Sequence, residues 1–242
     1  MSPKLLLALQ YWEGDREAAY RLARTLADLE PKHSESADLL LVHRADCVPP
    51  DKDLIAYLSR KFNVFVYRSP RRTAGWPAGC NDLWFATIEW VWSMLDARKI
   101  QAYSSVFTFE ADGAPLVEGW IEKFQEAWGS AKVKVLGCEV DNKKCPKHVN
   151  GNAMFSCDLN FLYWLAREIG AVGRGAWDVA LYPEFAKRGA ADFPGLRSYY
   201  QTRSVTGEWV AQEQSKGTVF VHGVKDGSLL REVRARFRLP PL

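Results

Sequence analysis

The chain has 242 residues, 48% hydrophobic and 25% charged, which suits one sizeable globular domain with a full core and excludes a disorder-dominated protein. Its net charge of +3 is small, and five cysteines (Cys47, Cys80, Cys138, Cys145, Cys157) without a CxxC pair argue against a disulfide scaffold or zinc ribbon and for reduced, structural thiols. The N-terminal run KLLLALQYW is apolar for too short a stretch to be a signal sequence or membrane span, so the expected location is cytoplasmic, the host cytoplasm for a viral protein.

In chain order, KLLLAL reads as a strand, REAAYRLARTLADLE as a helix, ADLLLVH as a strand and DLIAYLSRKF as a helix. NVFVY is a third strand, NDLWFATIEWVWSML a long helix and SSVFTFE a fourth strand. The strands are continuously apolar, where half-exposed ones would alternate, so they predict a parallel sheet covered on both faces. Ligands of such sheets sit beyond the carboxyl ends of the strands. Those ends are Gln10-Tyr11-Trp12, whose aromatic pair suits stacking on a base, then His43-Arg44, Arg68 to Cys80, and Glu110 to Gly113.

The loop RSPRRTAGWPAGC after the third strand is long for this fold. Arg68, Arg71, Arg72 and Trp76 suit a phosphate or a sugar nucleotide, and Asn81 is expected to cap the helix that Asp82 begins. A solvated surface loop is the even alternative. At the fourth strand end, Glu110-Ala111-Asp112 puts two carboxylates around one small residue, which is costly unless a cation sits between them. The plain alternative is a turn or helix cap, with Pro115 opening the next helix.

Past residue 130 the pattern loosens. KVKVLGCEV reads as a strand, HVNGNAMFS as a short strand bearing a turn and LNFLYWLAREIG as a helix. His148, Asn150 and Asn152 offer donors and acceptors for sugar hydroxyls, although Asn-Gly is also the commonest hairpin signal. Asp178, beside Trp177 at a helix start, is a base or a capping acid. Between Gly173 and Gly217 there is little period before TVFVHG returns as a strand. It delivers His222, able to ligate a metal, and then Lys225, able to reach phosphate. Arg231, Arg234, Arg236 and Arg238 crowd the end of the chain, as a solvated face or a surface for phosphates.

Taken together, these segments resemble the nucleotide-sugar glycosyltransferases of the GT-A fold: a Rossmann-like first half, an acid-x-acid motif ending the fourth strand, an Asn-Gly-Asn segment, and a late His with a nearby Lys. The resemblance implies a single domain over 1–242, with a mostly parallel central sheet, helices on both faces and an elaborated C-terminal half. Residues 1–115 would bind the nucleotide sugar, and 116–242 would supply the acceptor half and the C-terminal metal and diphosphate segment. It further implies one Mn2+ or Mg2+ ion on Asp112 and His222, with Glu110 toward the ribose or the metal and Lys225 on the phosphates. The first acid is Glu where the family more often has Asp.

An inverting reaction would need a carboxylate base, for which Asp178 is the candidate; a retaining one would not. The expected partners are a nucleoside-diphosphate sugar and a hydroxyl acceptor, with hydroxymethylated pyrimidines in DNA slightly favoured over a saccharide or cell-envelope acceptor. The aromatics Trp164, Trp177, Tyr182, Tyr199, Tyr200 and Trp209 enter this choice as a stacking surface, although each taken singly suits a core better than a platform. A nucleotidyltransferase and a non-catalytic nucleotide-binding module are the rival classes.

Overall fold

Continuously apolar strands can be buried only between helices, and that is how the first half folds. A computed structural model describes residues 4–142, 145–168, 172–173, 175–201 and 203–240. In it, β1 (Lys4–Tyr11), β2 (Ala37–His43), β3 (Val64–Arg68) and β4 (Tyr103–Glu110) pair in parallel in the order β3-β2-β1-β4. The crossovers contain α1 (Arg16–Leu29), α2 (Lys52–Leu58) and α3 (Ala78–Asp96).

Beyond β4 the sheet turns antiparallel. β4 pairs with β7 (Cys145–Ser156), β7 with β6 (Val135–Asn142), and β6 runs parallel to the short edge strand β8 (Ala190–Asp192). A second sheet joins β5 (Ala114–Pro115), β10 (Phe220–Val224) and β9 (Leu196–Gln201) in the order β5-β10-β9. The remaining helices are α4 (Trp120–Ala131), α5 (Leu159–Glu168), α6 (Trp177–Arg188), α7 (Gly207–Ser215) and α8 (Ser228–Arg236). Among the described residues, no helix is long and apolar enough to cross a membrane.

The two-residue period of a strand sorts β1 between two cores. Leu5, Leu7 and Leu9 pack with Leu22 and Leu26 of α1 and with Phe107, Phe109, Phe124 and Phe220. Leu6 and Ala8 face the other way, into Trp84, Ile88, Phe155 and Trp177. There the rings of Trp84 and Trp177 stack with centroids 3.7 Å apart, joining α3 to α6.

Several expectations are corrected. The helix expected from Asn81 begins at Ala78, so Asn81 lies inside α3 and does not cap it. Its amide instead donates to Gly175 O (2.8 Å) and accepts from Trp177 N (3.1 Å), fixing the start of α6. Pro115 opens no helix: it sits in β5 opposite Phe220, and α4 begins at Trp120. Asn150-Gly151 makes no hairpin. β7 runs through it, and the β6–β7 register slips from Gly137↔Ala153 to Glu139↔Val149, so residues 150–152 bulge.

The weakly periodic stretch from Gly173 to Gly217 holds α6, β8, β9 and α7. Its aromatics are engaged within the fold: Trp177 is buried, Tyr182 reaches Glu139, Tyr199 reaches Glu213, and Trp209 packs on Tyr199. Trp164 lies beneath the guanidinium of Arg188 at 3.9 Å, and the Tyr200 side chain lies outside the described residues. The final two residues of the predicted LNFLYWLAREIG helix also lie outside them.

Candidate functional site

Phe107 and Phe109 anchor the end of β4 in the core, so Glu110 emerges at the carboxyl edge of the sheet. The chain turns there, with Gly113 N donating to Glu110 O (3.3 Å), and a Cβ on Gly113 would lie 2.6 Å from the Phe220 ring. β10 then runs antiparallel to β5, placing Val221 opposite Ala114, and Val224 N donates to Asp112 O (3.3 Å). This pairing brings His222 onto the two acids. Gly223 makes the approach possible: its φ is +97° and an added Cβ would lie 1.4 Å from Tyr199 O, which no side chain can accept.

His222 Nε2 lies 3.1 Å from Glu110 Oε2 and 3.1 Å from Asp112 Oδ1. On the other side of the ring, Nδ1 is 3.0 Å from Ser198 Oγ, across the β9–β10 pairing. Nε2 can carry a single proton and its hydrogen bond goes to Glu110. Asp112 Oδ1 is consequently buried without a hydrogen-bond partner. Burial opposes a charged His222, yet the two carboxylates of Asp112 and Glu110, each 3.1 Å from Nε2, outweigh it and raise the imidazole to about 9. Asp112 is likewise desolvated, but His222 and Lys225 hold it below the usual carboxylate range.

One ligand atom from each of Glu110, Asp112 and His222 lies within 4.8 Å of the others. Two carboxylate oxygens and one imidazole nitrogen, one oxygen being buried without a hydrogen bond, form a donor set that fits a single divalent cation of the Mn2+ or Mg2+ type.

Glu110 and Asp112 open onto a cleft of about 1710 Å³ at the carboxyl ends of β1 and β4, with His222 buried behind them. Of the residues expected to bind a donor, Gln10, Tyr11, Trp12, Trp76, Glu110 and Lys225 line it. Gln10 is oriented by Thr87 Oγ1 (2.8 Å). Tyr11 is only 1% exposed and belongs to the core, against Tyr20 and His43, so it offers no free face for a base. Trp12 is 46% exposed with the Arg44 guanidinium 5.5 Å over its ring, and Asp46 holds that guanidinium in plane at 2.6 Å. Trp76 is 80% exposed.

Other expected residues are not brought into the cleft. Arg68 donates to Ala45 O, Arg71 pairs with Glu89 (2.8 Å), and Arg72 is exposed outside the lining. Asn81 is committed to α6, as described. Asn150 and Asn152 are buried: Asn150 Oδ1 accepts from Asn152 N (3.1 Å), and Asn152 Oδ1 accepts from Glu110 N (3.0 Å). They therefore brace the acid turn from behind. His148 Nε2 lies 4.0 Å from Asp178 Oδ2, a carboxyl that burial pushes upward and that His148 partly offsets. Neither His148 nor Asp178 is among the cleft-lining residues.

Sequence reasoning missed Ser198, Asp15 and Cys80. Asp15 lines the cleft and is shifted upward by burial and by the charges of Glu110 and Asp112, against hydrogen bonding from Trp12 and the charge of Lys225. The Cys80 thiol is pushed up to about 12 by burial and then by the Glu110 carboxylate, so it stays neutral beside the acids. A polar EGD turn and a cysteine in the long loop were visible; their proximity to Glu110 depends on the fold.

No protein-family model and no curated protein matches this sequence. Solved structures do. The bifunctional glycosyltransferase WbbM superposes with a TM-score of 0.62 at 8% identity, over 99% of this chain and 50% of its own length. GlyE of Streptococcus pneumoniae TIGR4 gives 0.55 at 7% identity, over 99% of this chain and 61% of its own. Mouse xyloside xylosyltransferase 1 gives 0.50 at 11%, over 93% of this chain and 99% of its own. The chain thus spans about half of WbbM and three-fifths of GlyE. With its parallel half-sheet, its antiparallel extension and its site at the carboxyl ends of the strands, the chain has the fold of the GT-A glycosyltransferases.

Proposed function

We propose that this protein transfers a sugar from a nucleoside-diphosphate donor to a hydroxyl acceptor, using one Mn2+ or Mg2+ ion held by Asp112, His222 and Glu110. The observation that carries this reading is the convergence of those side chains, with Asp112 Oδ1 buried and without a hydrogen bond, at a cleft on the carboxyl edge of the sheet that Glu110 and Asp112 line. A divalent cation there supplies neutralisation of the charge that builds on a departing diphosphate. The chain's own groups do the rest. Lys225 is exposed in the same cleft and is the candidate for the phosphates; Trp12, backed by Arg44, offers a flat face to the base. Residues 1–115 are assigned to donor binding, and 116–242 to the acceptor half and the C-terminal metal segment.

For the acceptor we carry forward hydroxymethylated pyrimidines in DNA, with a saccharide or lipid-linked hydroxyl as the alternative. Arginines of the cleft wall support the first reading, and the packing of Trp164, Trp177, Tyr182, Tyr199 and Trp209 removes the support expected from those rings. Asp178 remains the candidate base for an inverting reaction, to be tested by Asp178→Asn.

The deciding experiment is incubation of purified protein with manganese and a panel of nucleotide sugars, reading donor hydrolysis and transfer by mass spectrometry. Asp112→Ala is expected to abolish turnover while the circular dichroism spectrum is unchanged. Asp112→Asn should be nearly as damaging, because it keeps shape and loses charge. Full turnover in EDTA would refute the metal-dependent reading.

A further inference from the structure

One wall of the cleft is made by α1 and α8, which bring Arg21, Arg24, Arg231 and Arg234 into its lining. Arg234 is the buried anchor of that wall: its guanidinium lies 2.9 Å from Asp28 Oδ2 and donates to Thr25 Oγ1 at 2.9 Å. Thr25 in turn donates to Arg21 O (2.8 Å), so Arg21 stands one turn from the anchor on α1. Arg231 stands about one turn from it on α8.

Both Arg21 and Arg231 are exposed, and among the described residues neither side chain has an ion pair or hydrogen bond. Other arginines of the cleft are ion-paired: Arg16 with Glu13 (2.6 Å), Arg44 with Asp46 (2.6 Å) and, in the wall itself, Arg234 with Asp28 (2.9 Å). Arg21 with Arg24 on α1, and Arg231 with Arg234 on α8, gather four guanidinium groups on one wall, where Asp28 is committed to Arg234 and the Asp226 charge reaches Arg231. The cleft, at about 1710 Å³, also exceeds the roughly 300–1,000 Å³ of a typical small-molecule site, leaving room for a second ligand beside a nucleotide sugar. Trp76, 80% exposed in that cleft, is a stacking face that no described residue covers.

We infer that the α1–α8 wall binds the phosphate backbone of a nucleic-acid strand, with an unstacked base resting on Trp76 and its hydroxyl turned toward the metal ligands. This rests on the transferase reading above and assigns its acceptor surface to Arg21 and Arg231. Arg236 and Arg238, which lie outside the cleft lining, have no part in it. Guanidinium groups on phosphates and an aromatic face for the base are the usual parts of a single-strand site.

The test is fluorescence anisotropy of a labelled single-stranded oligonucleotide of about 15 nucleotides across a salt series. Each phosphate neutralised contributes about 0.7 to the slope of log affinity against log salt, so Arg21→Ala with Arg231→Ala should flatten the slope by about 1.4. Arg236→Ala with Arg238→Ala should leave it unchanged, and Trp76→Ala should weaken binding without changing the slope. An unmoved slope in the first pair, an equal change in the second, or no binding by the wild type overturns the inference. Inorganic polyphosphate competing as well as DNA, phosphate for phosphate, overturns it too, because the base would then add nothing. Calorimetry of a nucleoside diphosphate with manganese on the same proteins keeps the two readings apart. Its loss in the wild type would sink the transferase reading, whereas its persistence without DNA binding sinks only the wall.

Discussion

His222 has one position at Nε2 and two carboxylate oxygens 3.1 Å away, so in the absence of a cation one acid goes without a proper hydrogen bond. What decides whether that nitrogen can serve as a ligand is the other side of the ring. A proton on Nδ1 donated to Ser198 Oγ means that, once a cation displaces the Nε2 proton now shared with Glu110, the Nε2 lone pair is the one turned toward the two acids. Ser198 is therefore a positioning residue. Ser198→Ala should weaken manganese binding by about tenfold, at the low end of what loss of such an outer partner costs, and Ser198→Thr should restore most of it. Calorimetric titration with manganese reads this directly, with His33→Ala as the control because His33 is exposed in the PKHSES segment. An unchanged affinity in Ser198→Ala would mean that packing alone holds the ring. At this scale the sequence was informative about chemistry: Glu110, Asp112 and His222 were all visible as potential ligands at strand ends. Ser198 was not, since nothing along LRSYYQ marks it until the β9–β10 register sets it opposite His222.

Elements carry their own electrostatic costs, and the carboxyl end of α1 shows one. Glu30 is the C-cap residue, 7% exposed, where the helix already presents the negative end of its dipole. Burial raises its carboxyl to about 7, the Glu122 charge adds to this, and Lys61 opposes it. A folded-state value above the unfolded one means that folding favours the protonated acid. The stability it contributes is complete below about 4.5 and is lost as the pH rises through about 7, a difference on the order of 3 kcal/mol at most. Glu30→Gln should therefore raise Tm by several degrees at pH 8 and change it little near pH 4.5. A gain of the same size at both values would leave ionisation out of the explanation. The elements themselves were legible where one signal dominated. β1, β2 and β4 are unbroken apolar runs, and α1 repeats its apolar residues at helical spacing. They were illegible where local and tertiary signals disagree. The first turn of α3 is Ala-Gly-Cys after Pro77, which reads as loop, and it is helical because Asn81 inside it is tied to Gly175 and Trp177. Asn150-Gly151 carries a hairpin signal, but pairing with both β4 and β6 keeps the chain in the sheet and turns the signal into a bulge. β8 and β9 have short, mixed sequences whose partners, Val135 and Phe220, are distant in the chain.

At the scale of the molecule, the candidate site is assembled from two segments 112 residues apart, so the segment bearing His222 must be held against the first half of the chain. Part of that hold is the small β5–β10–β9 sheet, and part is α8, which follows β10 and docks on α1. The four C-terminal arginines, read in the sequence as one face, divide into different roles. Arg231 faces the cleft, Arg236 and Arg238 are exposed, and Arg234 is buried on Asp28 and Thr25 and also donates to Pro240 O. Composition could not separate them because the distinction depends on which face of α8 meets α1. Asp28 also accepts from Tyr57 of α2, so Arg234 closes a junction of α1, α2 and α8. Removing one member of a buried pair leaves the other charge desolvated and unpaired, at a cost of about 3–5 kcal/mol. For a chain of this size, that corresponds to roughly 10 °C in Tm. Arg234→Ala should therefore lower Tm by about that amount, whereas Arg236→Ala should not change it measurably. Because apolar replacement of both partners removes the stranded charge as well as the attraction, Arg234→Met with Asp28→Leu should recover much of the loss. Differential scanning calorimetry of the three variants decides the point. If Arg234→Ala melts with the wild type, the junction is not what fixes α8, and β5–β10–β9 pairing alone must hold His222 in place.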